Sequence, residues 1–261
     1  MTPRTALVAA GAAAALFGLA FSGFSNAVSQ GDEAGESRDG DFTSAEEDRI
    51  RAIVEDYIRK NPDVLIDALN SFADSQRAAS AKDSLPFLLS EEGAYTADPG
   101  GAKVAVVEFF DYHCGFCKRA NGLVQDLTNG DEDVKVVFRE LPILREESEA
   151  AAKIALAARE QGKYLDLHFA LMSASGVIDE KRAYEIAEKQ GLDVDRLKKD
   201  ASAKRLDVGI ERNQRAASEL GVDGTPSFVV AGADGEFVRI VTGYRPDELT
   251  AAIKDAKKAA K

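Results

Sequence analysis

Cys114 and Cys117 are the only thiols in 261 residues, and two residues separate them. An apolar run, Val104 to Phe110, comes just before them, and a helical pattern begins at the second cysteine. Strand, paired cysteines, then helix is the arrangement of a redox-active dithiol. A thiol at a helix entrance meets unpaired N–H groups and about half a positive charge. Its pKa then drops from about 8.5 to between about 3.5 and 7.5, which makes it a nucleophile and a good leaving group near neutral pH. Cys114 takes that place. Cys117, one turn inward and more shielded, is in reach to resolve a mixed disulfide.

Two blander uses of the pair are weaker. A bridge across two residues closes a very small loop and adds little stability. Zinc wants four ligands, and beyond the two cysteines the chain offers only His113 and His168. His113 abuts Cys114 and is poorly placed to share a tetrahedral ion with it. No metal and no dissociable cofactor is therefore expected; the redox group is the Cys114–Cys117 pair itself. Thiolates also select soft ions, so Cu(I) binding stays open as an alternative role, as does a chaperone role for the N-terminal helices.

The segments FFDYHCGFCKRA and GTPSFVV, with a helical block between them, resemble the DsbA-like thiol–disulfide oxidoreductases of bacterial envelopes. Within them the chain is most similar to the ScsC-type (suppressor of copper sensitivity) branch, to which YIRKNPDVLIDALN points. The resemblance covers roughly residues 54–261. It implies an α/β thioredoxin fold with an inserted helical domain, preceded by an N-terminal helical arm. It also implies that Cys114 and Cys117 are catalytic, and that Thr225-Pro226 is a cis-proline loop where an extended substrate pairs beside the sulfurs. X-Pro bonds are the ones in which cis is cheap. The implied partners are cysteine-containing envelope proteins, a membrane redox partner that resets the dithiol, and further copies of the chain, with a trimer expected. The implied activity is disulfide isomerase or reductase in the periplasm, with disulfide oxidase as the alternative. Gly115-Phe116 stands where many relatives have Pro-His or Pro-Tyr, and this inner pair tunes the reduction potential.

Three neighbours of the motif are modulating or bystander candidates. His113, if protonated near Cys114, would favour the thiolate; pointed at solvent, it does nothing. Glu108 lies in an apolar strand and matches the buried acid that assists the resolving cysteine in thioredoxin-like proteins. Alternation puts it on the face of Phe110 but leaves open which face meets the helix. Lys118 reads as a solvated helix residue, and His168, inside an apolar face, as a core or domain-interface histidine.

The elements around these residues follow in order. Residues 1–27 read as a cleavable signal peptide with Arg4, an apolar stretch and Ser25-Asn26-Ala27, with an uncleaved membrane anchor as the alternative, and residues 28–42 as a flexible linker. Residues 43–83 form the arm: a helix capped by Ser44 with Glu47, then a second helix from Pro62. Residues 84–261 form the catalytic domain, with Leu85–Ser90 as its first strand, Val104–Phe110 central, and Val134–Phe138 parallel to it. A helical insertion occupies about 146–220, with Asp179 and Asp193 as N-caps. A hairpin follows after Pro226, and Pro246 starts a closing helix. The net charge of −12 and a pI near 4.8 argue against nucleic acid and anionic lipid as partners.

Overall fold

The computed structural model describes residues 42–260. The expected signal peptide and nearly all of the expected linker lie outside the described residues. Chain contacts divide the protein into residues 1–60 and 61–261.

In the first unit, helix α1 (Ser44–Lys60) carries Ile50, Ile53, Val54, Tyr57 and Ile58, all exposed. Its capping pair sits one residue earlier than the sequence reading placed it. Thr43 Oγ1 donates to Glu46 Oε2 at 2.8 Å and faces the Glu46 amide at 3.4 Å. Thr43 precedes the first helical residue, which is where a cap must stand.

The second unit begins with helix α2 (Pro62–Leu88) and continues as strand β1 (Ala94–Ala97), strand β2 (Val104–Phe110), helix α3 (Gly115–Gly130) and strand β3 (Val134–Glu140). The insertion consists of α4 (Glu146–Ala157), a 3-10 turn (Ala158–Gln161), α5 (Tyr164–Ser173), α6 (Glu180–Lys189), α7 (Val194–Ala201) and α8 (Lys204–Glu219). Strands β4 (Ser227–Gly232) and β5 (Val238–Thr242) and helix α9 (Pro246–Ala259) complete it. The sheet order is β1-β3-β2-β4-β5. β2 runs parallel to β3 and antiparallel to β4, so it is the central strand. Every one of its residues is buried, as its near-continuous apolar run demands. The protein is thus a thioredoxin fold interrupted by helices, of the DsbA-like kind.

Alternation along β2 sorts the core into two layers. Val104, Val106 and Phe110 join Cys114, Cys117, the insertion and α9. Val107 and Phe109 join Leu85 and Leu88 of α2 and the end of α8. Glu108 shares parity with the first set, so it lies on the dithiol's side of the sheet.

The first strand departs from expectation. Leu85–Ser90 is not extended; α2 runs on to Leu88, with Pro86 inside it, and the strand is Ala94–Ala97. The cause lies far along the chain. Arg139, buried in β3, donates to Leu88 O at 3.1 Å, Ser90 O at 2.7 Å, Glu92 O at 2.8 Å and Asn213 Oδ1 at 2.8 Å, and also to Phe87 O. The backbone carbonyls among these lie at the end of α2 and just after it, where the helix leaves acceptors without helical partners. Burial lowers the Arg139 pKa to about 10, so it stays charged at neutral pH. Just beyond, Gly93 at φ 65° lies against Gly209 of α8, and a Cβ there would come within 2.6 Å of the Gly209 carbonyl oxygen. The amino-terminal part of α2 buries nothing: Val64, Leu65, Ile66, Leu69 and Phe72 are all exposed.

Candidate active site

β2 ends at Phe110, and the turn that follows is built on Asp111. Its Oδ1 accepts the His113 amide at 2.7 Å and the Ser148 hydroxyl at 2.9 Å. Its Oδ2 accepts the amides of Ile143 and Leu144 at 2.9 and 3.0 Å. One buried carboxylate therefore fixes the loop into the cysteines and the connection from β3 to the insertion. The sequence reading does not single out Asp111 or Ser148, since, apart from the neighbouring His113 amide, the partners of each lie more than thirty residues away.

The helix after this turn starts at Gly115, two residues earlier than expected, which makes Cys114 its N-cap. Cys114 Sγ accepts the Cys117 amide at 3.3 Å and lies 3.0 Å from Thr225 O, to which the thiol donates. The largest cause of its lowered pKa is the Cys117 thiol hydrogen-bonded to it; burial opposes, and Thr225 and the amides of Cys117 and Phe116 reinforce. The outcome is a Cys114 pKa of about 6. Cys117 goes the opposite way. Burial first, then the bond to Cys114 and the charge of Glu108, push it far up. Both residues are recessed, Cys114 at 4% and Cys117 at 1% exposed; desolvation dominates at Cys117, whereas hydrogen bonds outweigh it at Cys114.

The Thr225–Pro226 bond is cis. Thr225 Oγ1 is buried and has no partner among the described residues; a Cys114 thiolate would be an acceptor for it. Beside this loop lies a cavity of about 340 Å³ whose lining includes Phe116, Gly224, Thr225, Ser227 and Tyr244. Phe116 is 54% exposed, and the Arg119 guanidinium rests over its ring at 4.0 Å. Gly115 has open space where a side chain would stand.

Glu108 is buried at the level of Phe138 and Phe228 on the neighbouring strands. Desolvation, with a contribution from Cys114, raises its pKa to about 8. A second buried acid was not anticipated. Glu140, at the end of β3, accepts from the Tyr112 hydroxyl at 3.0 Å and the Tyr164 hydroxyl at 3.2 Å, and desolvation pushes its pKa well up. The Tyr112 hydroxyl also meets His168 Nδ1 at 3.1 Å. Burial lowers the His168 pKa to about 3, so the ring is neutral. His168 thus sits where α5 packs on the sheet.

His113 neither points to solvent nor holds a charge. Its side chain is 3% exposed. Nε2 accepts the Ile178 amide at 3.0 Å and Nδ1 lies 2.9 Å from Ser148 Oγ. An Nε2 that accepts carries no proton, so the bonds select the neutral ring protonated on Nδ1. Burial also holds its pKa below the usual imidazole range. Lys118 corrects the expectation of a solvated side chain. It is half-buried, and its ammonium donates to Ala174 O and, at 3.5 Å, to Leu171 O, the carbonyl end of α5. The α5 terminus takes up the charge that a sequence window leaves to water.

Comparison with known proteins gives a consistent picture. Residues 105–254 match the family described as the DSBA-like thioredoxin domain, and residues 46–79 match the copper resistance protein ScsC N-terminal domain. A thioredoxin-like oxidoreductase from Silicibacter pomeroyi DSS-3 is 41% identical, with a TM-score of 0.60 over 66% of this chain and 96% of that one. BcfH of Salmonella enterica Typhimurium is 28% identical, with a TM-score of 0.58 over 82% of this chain and 96% of that one. A linker-deletion mutant of Proteus mirabilis ScsC, 23% identical with a TM-score of 0.60, shares the fold over 85% of this chain and all of its own. Among curated proteins, a Na(+)/H(+) antiporter NhaA of Salinispora arenicola is 31% identical over 160 residues, 60% of this chain and 24% of the antiporter. The chain spans about a quarter of the curated relatives it matches.

Proposed function

The chain belongs to the family of the DSBA-like thioredoxin domain, and from that premise we propose that it is an extracytoplasmic protein disulfide isomerase or reductase acting through Cys114 and Cys117. One observation carries the reading. Two thiols in one helical turn have their pKa values driven apart, Cys114 down to about 6 and Cys117 far up. That is the division between an attacking and a resolving sulfur.

The Cys114 thiolate attacks one sulfur of a substrate disulfide. A Cys114–substrate disulfide forms, the substrate S–S bond breaks, and the departing thiolate takes a proton from water. In isomerisation, a substrate thiolate, either directly or after exchange with another substrate disulfide, attacks the substrate sulfur of the mixed disulfide; a new substrate disulfide forms and the Cys114 thiolate is released unchanged. In reduction, Cys117 loses its proton, attacks Cys114 Sγ and expels the second substrate thiolate. Two electrons then leave the protein pair, which ends as a disulfide. Glu108, buried on the dithiol's face, is the base for the Cys117 proton. The electrons reside in the cysteine pair, so no dissociable cofactor enters.

Isomerisation is favoured over oxidation by the exposed apolar residues of α1 and α2. Such stripes need a partner, and arms of several copies, three in our reading, would hold several dithiols around one trapped substrate. The substrates in this reading are cysteine-containing envelope proteins, and a membrane redox partner returns the pair to the dithiol. No helix of the described residues is long and apolar enough to cross a membrane. Thiol trapping of the protein in its cells tests the direction. A mostly reduced pair is expected, and a mostly oxidised one would turn the assignment to oxidase.

A further inference from the structure

Residues 174–178 join α5 to α6, and both ends of this short connection are held by residues that flank the cysteine motif. Lys118, directly after Cys117, holds the carbonyl of Ala174. His113, directly before Cys114, accepts the amide of Ile178 at 3.0 Å. Between these ties Gly176 takes φ 75°, a backbone angle that suits glycine. The Val177 carbonyl accepts from Arg182 Nη1 at 3.0 Å, and Asp179 caps α6 through the Arg182 amide at 2.8 Å. The segment is a strap pinned along its length through its backbone.

The side chain of Val177 is what this pinning leaves over. It is 43% exposed. A lone exposed valine is ordinary; its position is not. It stands one residue from the amide bound to His113, which itself adjoins the nucleophile. Leu144, 49% exposed, is fixed by the same polar network, since its amide rests on Asp111 Oδ2 and Asp111 Oδ1 holds the His113 amide. Cys114 is only 4% exposed. A polypeptide joined to its sulfur must therefore press against the surrounding rim. The cavity beside Thr225 borders that sulfur's loop on one side, and the strap, tied to His113 through the Ile178 amide, lies on the side of the insertion.

We infer that Val177 is a specificity-determining residue, which packs against an apolar side chain next to the substrate cysteine when that cysteine is joined to Cys114. The inference rests on the oxidoreductase reading. It assigns the substrate class as unfolded or locally extended chain in which the reactive cysteine has an apolar neighbour. Such a contact shelters a few carbons on each side, which corresponds to a preference of about five- to tenfold over a polar neighbour.

The test uses the full chain and two disulfide-linked peptides that differ only in carrying leucine or serine beside the cysteine. The ratio of their kcat/KM values is measured for the wild type, Val177→Ser and Val177→Ile. The wild type and Val177→Ile are expected to favour the leucine peptide, and Val177→Ser to lose about fivefold of that preference through KM. An unchanged ratio in Val177→Ser overturns the inference while leaving the oxidoreductase reading intact. A wild type that exchanges with neither peptide overturns the oxidoreductase reading, and the strap's role with it.

Discussion

The amide of Cys117 donates to Cys114 Sγ at 3.3 Å, and the Cys117 thiol is the strongest single influence drawing the Cys114 pKa down. The resolving residue therefore activates the nucleophile before it resolves anything. Absorbance at 240 nm is expected to show a first thiol ionisation near pH 6. Cys117→Ala keeps the amide and loses the S–H, so the midpoint should rise by about one unit. An unmoved midpoint would mean the amides alone do the work. The shift also bears on stability. Cys114 titrates lower in the fold than in the unfolded chain, so the reduced protein gains stability as pH rises from about 6 to about 8.5 and loses it as pH falls back. Melting temperatures of the reduced wild type, compared with Cys114→Ser across that range, measure this.

Glu108 has the opposite sign. Its folded pKa of about 8 exceeds the value of 4.5 for a free side chain. The stability it allows is complete below pH 4.5 and is lost as pH climbs towards 8. Glu108→Gln keeps the shape and removes the titration. It should be more stable than the wild type at pH 7, on the order of 2–3 kcal/mol, with the gap closing near pH 4. The same variant should slow resolution of a Cys114 mixed disulfide by about tenfold or more, because Cys117 loses its base. Single-turnover release of a trapped peptide reads the second effect, and an unaltered rate would remove Glu108 from the reaction.

Protonating His113 would set two N–H donors where one ring nitrogen now accepts from Ile178. Asp111 and Glu147 favour the cation, Arg145 and Lys118 oppose it, Ser148 is neutral, and burial outweighs them all. Because the folded pKa is lowered, stability at this ring is lost as pH falls through that value. Amide exchange at Ile178, corrected for intrinsic rate, should accelerate as pH drops from 7 to 5, while the Leu141 amide, bonded to Phe110 O at 2.8 Å, does not follow. His113→Asn should lose the acceleration.

The arm's exposed stripe gives a prediction about mass. Leu65→Glu with Phe72→Glu alters only exposed positions, so each chain should keep its fold. Light scattering should show a multiple of the single-chain mass for the wild type and a fall towards the single chain for the double variant. A wild type already at the single-chain mass would refute assembly through the arm.

What the sequence made legible is what is local. The β2 run, the cysteine spacing, the caps Asp179 and Asp193, and the hairpin after Pro226 are all read within a few residues of themselves, and they hold in the structure. Two of the misreadings, and two omissions, share one physical origin. Leu85–Ser90 looks extended because a proline sits in an apolar run, but its carbonyls are satisfied by a guanidinium about fifty residues away. Lys118 looks solvated, but its acceptors lie more than fifty residues on, at a helix end. The acids Asp111 and Glu140 drew no notice because their donors come from other elements. Glu108 was half-legible: alternation gave its parity, and only the packed layers gave its face.

Arg139 has a mechanical consequence. The last turn of α2 is fastened by a rigid, planar cation to β3, the strand hydrogen-bonded beside β2. A hinge at this junction would have to break several Arg139 hydrogen bonds at once. Torque applied to the stripe-bearing end of α2 therefore passes into the sheet as through a lever, and bending, where it occurs, is displaced to residues ahead of this clamp.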